Sequence, residues 1–246
     1  MPPRAEAGGG PPWVSVVVPT YNEAQSVPIL LERLEGLLCG TPHEIIVADD
    51  DSPDRTWEVA ERLTARVPGL RVLRRSGERG LYPAVLEGFA SSSGEWLLVM
   101  DADLQHDETI IPAMLETARL QGPGVVIGSR YAAGGGVEDW SRTRLWGSRV
   151  ATALARAVLR VRVADPMSGF FAVHRDVYRT VLPRLRPKGF KILFDILQHL
   201  PEGAPASEVP YVFRNRKLGA SKLNGEVAWC VLTALASAGW NRFRAS

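Results

Sequence analysis

Three polar residues at two-residue spacing, Asp101, Asp103 and Gln105, follow directly on the apolar run "LLVM" at 97–100. Two carboxylates held close repel unless one is protonated or both share a cation. At a strand end, alternation would aim both side chains the same way. Magnesium or manganese takes one or two carboxylates and fills its other positions with water and phosphate oxygens, and Gln105 adds a neutral oxygen. The spacing therefore predicts a Mg2+ or Mn2+ site at Asp101, Asp103 and Gln105, with the remaining ligands brought by a diphosphate. An Asp-x-Asp triplet arises by chance about once in a chain of this length. Alone it would read as a solvated turn, so the elements around it have to decide.

Those elements alternate between two periods. "VSVVVP" (14–19), "EIIVAD" (44–49), "LRVLRR" (70–75), "EWLLVMD" (95–101) and "GVVIGS" (124–129) are apolar runs of strand length. Between them lie segments of helical period. Residues 26–38 carry Ile29, Leu30, Leu34, Leu37 and Leu38 on one stripe. Residues 55–67 follow a capping stretch at 52–54 with Pro53 at the first turn, and 83–91 and 109–121 complete the set. Apolar strands alternating with helices predict an α/β fold: a mostly parallel, Rossmann-like sheet with helices on both faces, in a single domain. Ligands of such sheets collect at the carboxyl ends of the strands. "PTYNE" (19–23), "DDDSPD" (49–54), "DADLQ" (101–105) and "GSRY" (128–131) all fall there.

The second half is read more coarsely. Residues 134–140 form a loop and 142–162 a helix, with Arg149, Arg156 and Arg160 on one face and Leu145, Leu154 and Val158 among its apolar positions. "DPMSGFFAVHR" (165–175) turns into a short strand, 190–200 form a helix, and 207–216 an edge strand, because Pro210 has no N–H for a ladder. The chain divides into a flexible Pro/Gly-rich tail at 1–12, one domain at 13–223, and a C-terminal amphipathic helix at 224–246.

Composition narrows the class. The 246 residues are 46% apolar and 23% charged, ordinary for a soluble protein. The uncharged run at 227–241 has 15 residues, short of a membrane span. The N-terminus lacks the apolar core of a signal peptide, and two unrelated cysteines, Cys39 and Cys230, fit a reducing compartment. Net charge is +2, yet residues 1–123 hold 10 basic and 19 acidic residues and residues 124–246 hold 19 and 8. Either the halves pair with each other or the second half meets something anionic, such as phosphates or a lipid surface. No phosphate-binding loop, dinucleotide fingerprint, nucleophile elbow or zinc-protease helix is present. His43, His106, His174 and His199 show no ligand spacing and read as ordinary surface or core residues.

A nucleotide held without a glycine loop remains. Asp49 and Asp50, ending the second strand, can accept base N–H groups, or else cap the next helix. Tyr21 can stack or pack in the core, and Glu23 can accept a ribose hydroxyl.

"VSVVVPTYNE", "IIVADDDSPDRT", "VMDADLQHD" and "GSRY", in this order, resemble glycosyltransferase family 2, and more narrowly its dolichyl-phosphate (polyprenyl-phosphate) mannosyltransferase group. "DPMSGFF" (165–171), "GFKILFDIL" (189–197) and "FRNRKLGASKL" (213–223) extend the similarity. The resemblance implies a GT-A-type fold and a nucleotide-sugar donor, GDP-mannose above all. By position it implies that Pro19, Tyr21, Glu23, Ala48, Asp50, Asp101 and Ala102 line the nucleotide site. It makes Asp103 and Gln105 metal ligands beside Asp101, and sets Arg130, Arg216 and Lys222 around the phosphates, with Asp103 and the three basic residues in catalytic roles.

The implied acceptor is a polyprenyl or dolichyl monophosphate, so the implied location is peripheral, at the cytoplasmic membrane face, with no role for nucleic acid. Trp229, Leu232, Ala236, Trp240 and Phe243 fall near one helical face beside Arg242 and Arg244, which suits an interfacial helix or one packed on the domain. A separate membrane-anchoring partner is compatible with this. Three departures bear on the donor: Asp51 where the family has Gly, Ser or Asn, Tyr82 in place of the glycine of "GLG", and Ala220 in place of the glutamate of "GESK". The runner-up is a related transferase using UDP-glucose or another nucleotide sugar with a non-lipid acceptor. A non-catalytic binding module has no need of Asp101, Asp103, Gln105, Arg216 and Lys222 together.

Overall fold

The computed structural model describes residues 11–159, 162–186 and 192–215. Its main sheet has seven strands in the order β3-β2-β1-β4-β7-β5-β8. These are β1 (Val14–Thr20), β2 (His43–Asp49), β3 (Leu70–Arg74), β4 (Trp96–Val99), β5 (Val125–Ser129), β7 (Phe171–His174) and β8 (Ala206–Pro210). All run in one direction except β7, which lies antiparallel between β4 and β5. A second, two-stranded sheet pairs β6 (Gly136–Val137) with β9 (Val212–Phe213).

Every residue of β1 is buried because both faces of the sheet are covered. Val16, Val18, Ile45, Val47 and Leu98 pack under α1 (Val27–Leu37), α2 (Thr56–Glu61) and α4 (Ile111–Gln121). Val17, Ile46, Ala48, Leu97, Val99 and Phe171 point the other way, under α3 (Leu81–Ser91), α6 (Arg175–Val181) and α7 (Ile192–Gln198). The last long helix, α5 (Arg142–Val158), touches this body through Ala155, against Met167 and Phe194.

Several elements differ from the sequence reading. The buried stripe of α1 is Val27, Leu30, Leu31 and Leu34, whereas Ile29 is exposed and Leu37 half-buried. Helix α2 stops at Glu61, where Thr64 Oγ1 bonds back to the Glu61 carbonyl and competes with helical continuation. Pro53 lies ahead of that helix, whose N-cap is Arg55, and Asp54 accepts the Thr56 N–H from just outside it. Gly136 and Val137, expected in a loop, form a strand because β9 supplies a partner. The expected single edge strand is split there: β8 ends at Pro210 on the sheet edge, and Tyr211 leads into β9. On α5, Leu154 faces solvent and Leu145 is half-buried. Arg160 and the C-terminal helix expected at 224–246 lie outside the described residues.

Candidate active site

The carboxyl ends of β1, β2, β4, β5 and β8 share one edge, and the reversed β7 brings its amino end, with Asp165, Ser168 and Gly169, to the same place. The Asp101, Asp103 and Gln105 group is here, but strand alternation does not align it. β4 ends at Val99, so all three stand in the bend that follows. Leu104 has φ 60°, a left-handed conformation that costs a non-glycine residue about 1–2 kcal/mol. Contacts on all sides hold it. Asp103 Oδ1 accepts the Gln105 N–H at 3.1 Å, and the Asp101 N–H donates to His106 Nδ1 at 3.2 Å. The Gln105 carbonyl accepts the Arg214 N–H at 2.8 Å, and Gln105 Nε2 donates to the Arg214 carbonyl at 3.0 Å. Beyond the bend, the Arg214 guanidinium meets Asp107 at 2.8 Å and Glu108 at 3.5 Å, while Arg33 takes the other Glu108 oxygen at 2.7 Å.

The donor set suits a hard divalent ion. The Asp101 side chain is about one-third exposed, at 36%. A Cβ on Gly169 would sit 3.4 Å from Asp101 Oδ2, so the bare glycine keeps room beside that oxygen. With Gln105 Nε2 committed to Arg214, its amide oxygen is the atom left to offer a cation. Among the described residues, no three His, Cys, Asp or Glu side chains cluster to hold a metal by themselves. Two carboxylates, an amide oxygen and ligands from substrate and water match the way Mg2+ and Mn2+ bind.

On the β1–β2 side, the two acids expected to meet a base behave differently. Asp49 is fully buried, its Oδ2 accepting the hydroxyls of Thr20 (2.7 Å) and Ser52 (2.6 Å) and its Oδ1 the Ser52 N–H (2.8 Å). It is a clasp between the ends of β1 and β2, the helix-capping alternative of the sequence reading being visible in its two bonds from Ser52. Asp50 pairs with the buried Arg75 and accepts the Gly80 N–H at 2.7 Å. Each carboxylate oxygen can accept a second bond, so Asp50 keeps acceptor capacity beyond these two partners. Burial lowers the pKa of Arg75, but hydrogen bonds and charge from Glu87 and Asp50 outweigh it and leave it raised. Neither Arg75 nor its pairing was legible from spacing.

Tyr21 is half-buried, with Arg79 bonded to its hydroxyl at 3.3 Å. Glu23 is buried and accepts the Ser26 hydroxyl at 2.8 Å. Pro19, Ala48 and Ala102 are buried, so they can shape the cleft only by their size and main chain. Asp51 has φ 53°, a region that Asp and Asn tolerate better than most residues. It lines an open cavity of 660 Å³ with Trp57, Arg74 and Arg79, and Arg74 spans the Asp51 carboxylate and the face of Trp57.

Across the edge, Arg130 is held by Asp165 through Nε (2.7 Å), a second guanidinium nitrogen (2.8 Å) and its own main-chain N–H (3.1 Å). Burial opposes the charge on Arg130, and the Asp165 pair more than restores it, so its pKa is raised. Glu208 on β8 fixes Asp165 by accepting the N–H groups of Ala164 and Asp165. The rings of Tyr131, Trp140 and Phe213 surround the guanidinium, and Trp140 Nε1 is buried without a hydrogen-bond partner among the described residues. Arg216 and Lys222 lie outside the described residues. Asp165, His106, Gly169 and Arg214 were missed by sequence reasoning, although the "DPMSG" and "DLQHD" stretches contain three of them.

Comparison with known proteins bears on the family and the fold. The model of Glycosyl transferase family 2 matches residues 15–182. A dolichol-phosphate mannosyltransferase of Pyrococcus furiosus is 45% identical over 87% of this chain, which spans 60% of that protein's length. One of Saccharomyces cerevisiae is 36% identical, over 87% of this chain and 82% of its own. Glucosyl-3-phosphoglycerate synthase from Mycobacterium tuberculosis, solved with Mn2+, UDP-glucose and phosphoglyceric acid, superposes with TM-score 0.66 at 22% identity, covering 94% of this chain and 81% of that one. That likeness establishes the shared GT-A-type fold. Joined to a family match over two-thirds of the sequence and to relatives this similar, it leaves one assignment: the chain belongs to glycosyl transferase family 2.

Proposed function

We propose that this protein transfers mannose from GDP-mannose to a polyprenyl (dolichyl) monophosphate at a membrane surface, with inversion. The observation that carries the reading is the two-way bond between Gln105 and the Arg214 main chain. It joins the acidic bend to the start of the basic "RNRKLGASK" segment, so that diphosphate and counter-charge can meet. The names of the similar proteins supply the sugar and the acceptor class, and the guanine nucleotide of the donor rests on the sequence resemblance.

In this reading Asp101, Asp103 and Gln105 hold the divalent ion, which when bound supplies positive charge to the departing diphosphate. Asp50, fixed by Arg75 and Gly80, offers acceptor oxygens to the base. Arg130, set by Asp165, directs its remaining N–H groups toward phosphate, and Arg216 and Lys222 add charge from the following segment. The acceptor needs little activation, because the second pKa of a phosphate monoester is about 6 and it is a dianion at neutral pH. One of its oxygens bonds to the anomeric carbon as the bond from that carbon to the diphosphate oxygen breaks. The nucleoside diphosphate leaves with the electron pair, and no proton has to move. A dedicated base is unnecessary.

A lipid acceptor requires a surface that meets a bilayer. Helix α5 carries Trp146, Val150 and Leu154 exposed at four-residue spacing, flanked by Arg142, Arg149 and Arg156 and with no acidic residue in its length. An apolar stripe beside arginines suits the interface of an anionic leaflet. Among the described residues, no helix is long and apolar enough to cross a membrane. The runner-up, a UDP-sugar donor, draws on Asp51 and its cavity.

Calorimetric titration with GDP-mannose and with UDP-glucose, each with and without Mn2+, separates the two. Mn2+-dependent binding of the guanine donor alone, followed by transfer to polyprenyl phosphate, is the expected result. Preference for UDP-glucose would replace the donor assignment. Asp103→Ala should remove transfer while the unfolding midpoint stays near the parent's, and undiminished turnover would remove the metal site from the reading.

A further inference from the structure

We infer that His106 is a positioning residue for the cation-binding bend, fixing the main chain of Asp101 from beneath. This rests on the metal reading of the bend and goes beyond it. His106 is 2% exposed and lies five residues after Asp101. Its Nδ1 accepts the Asp101 N–H at 3.2 Å. A ring nitrogen that accepts carries no proton, so the ring proton resides on Nε2. Nε2 is 3.8 Å from Asp101 Oδ2, beyond hydrogen-bond length, and presents the positive side of the ring to that oxygen.

The ring has a built seat. Phe170 stacks on it with centroids 5.2 Å apart, and Tyr211 and Phe213 meet it edge-on at 5.9 and 5.6 Å. Phe170 is itself pressed against Gly128, where a Cβ would come within 2.8 Å of its ring. The main chain at Gly169 passes over both partners: a Cβ there would lie 3.4 Å from Asp101 Oδ2 and 3.5 Å from His106 Cε1. Parts of the chain near residues 128, 170 and 212 therefore converge to orient one imidazole. That imidazole closes the bend across the left-handed Leu104. A group that orients a metal ligand from the outer shell sets how well the ligand is presented without touching the ion.

The test measures Mn2+ binding to the full chain in the presence of GDP, from the electron paramagnetic resonance signal of free Mn2+, with thermal unfolding recorded in parallel. His106→Phe keeps the aromatic packing and removes the acceptor. It should weaken Mn2+ binding about 10-fold or more, the usual effect of losing an outer-shell partner. His106→Asn places an amide oxygen near the Nδ1 position and should restore most of the affinity. His106→Gln, which reaches toward the Nε2 position instead, should not. Should His106→Phe fail to fold, the Asn and Gln variants decide alone. A folded His106→Phe with the parent's Mn2+ affinity, or a Gln variant that binds as well as the Asn variant, overturns the inference while the metal site stands. Absence of Mn2+ binding by the unaltered chain overturns the site itself, and His106's role with it.

Discussion

Replacing Asp165 by Asn should separate the structural role of Arg130 from its chemical one. Asp165 is fully buried, the Arg130 side chain is 12% exposed, and three hydrogen bonds join them. Asn keeps the shape and one acceptor, but its NH2 group then faces a guanidinium N–H, donor against donor. The cation also loses its counter-charge in a site from which water is largely excluded. Breaking one partner of a buried ion pair costs about 3–5 kcal/mol. At roughly 2–4 °C per kcal/mol for a chain of this size, the melting point should fall by about 10 °C. Urea unfolding of the single variant measures this directly. A loss below about 1 kcal/mol would refute the claim that the pair is buried and mutually dependent.

The companion variant Arg130→Met/Asp165→Leu removes both charges. Buried ion pairs replaced by apolar residues of similar volume are often neutral in stability, so the double variant should lie within about 2 kcal/mol of the parent. The coupling energy from the complete cycle is then large, as expected for neighbours in one network. The folded double variant is the useful reagent. If Arg130 meets phosphate in the reaction, transfer is lost although the fold is intact. Retained transfer would assign Arg130 to architecture alone.

Two further outcomes concern the frame. Burial raises the Glu44 pKa, but hydrogen bonds from Ser93, Ser15 and Arg71 outweigh it and leave the folded value below the reference of 4.5. The unfolded chain therefore binds the proton more readily. The stabilisation is fully present above that reference and is lost as pH falls through the folded value. Glu44→Gln should cost about 1–3 kcal/mol at pH 7 and converge with the parent in acid, as read from urea midpoints along a pH series. An unchanged gap at pH 3 would contradict this. At Gly88, a Cβ would come within 2.4 Å of Val17 Cγ1, where α3 crosses β1. Gly88→Ala should destabilise by about 1–3 kcal/mol despite alanine's better helix propensity, and a neutral or stabilised variant would show that the helix can simply shift outward.

What the sequence disclosed follows from what local pattern can encode. The strands at 14–20, 43–49, 70–74 and 125–129 were legible because strand-length apolar runs bounded by polar turns have few alternative readings. The direction of β7 was not, since "FAVH" is buried on both faces whichever way it runs. Yet that reversal is what carries Asp165 and Gly169 to the site. Among the acids, position at a strand end identified the edge but not the orientation. Asp49 and Asp50 are neighbours, and the pleat sends the first to Thr20 and Ser52 and the second to Arg75 and Gly80. His106 was passed over because a lone histidine has no spacing to read. Its meaning comes from Phe170, Tyr211 and Phe213, which are 64 residues or more away in the chain.

The uneven charge of the two halves left two explanations, and the ion pairs bear on them. Arg214 does cross from the basic half to Asp107 and Glu108 in the acidic half. Arg130, however, is matched by Asp165 within its own half, and Arg75 by Asp50 and Glu87 within the other. Arg142, Arg149 and Arg156 form no ion pair among the described residues and stand exposed along one flank of α5. Mutual neutralisation thus accounts for only part of the asymmetry. Positive charge is left beside Trp146, Val150 and Leu154, residues that a chain optimised only for solubility would bury or replace. Charge and apolar surface on the same helix are the combination that the proposed contact with an anionic bilayer calls for.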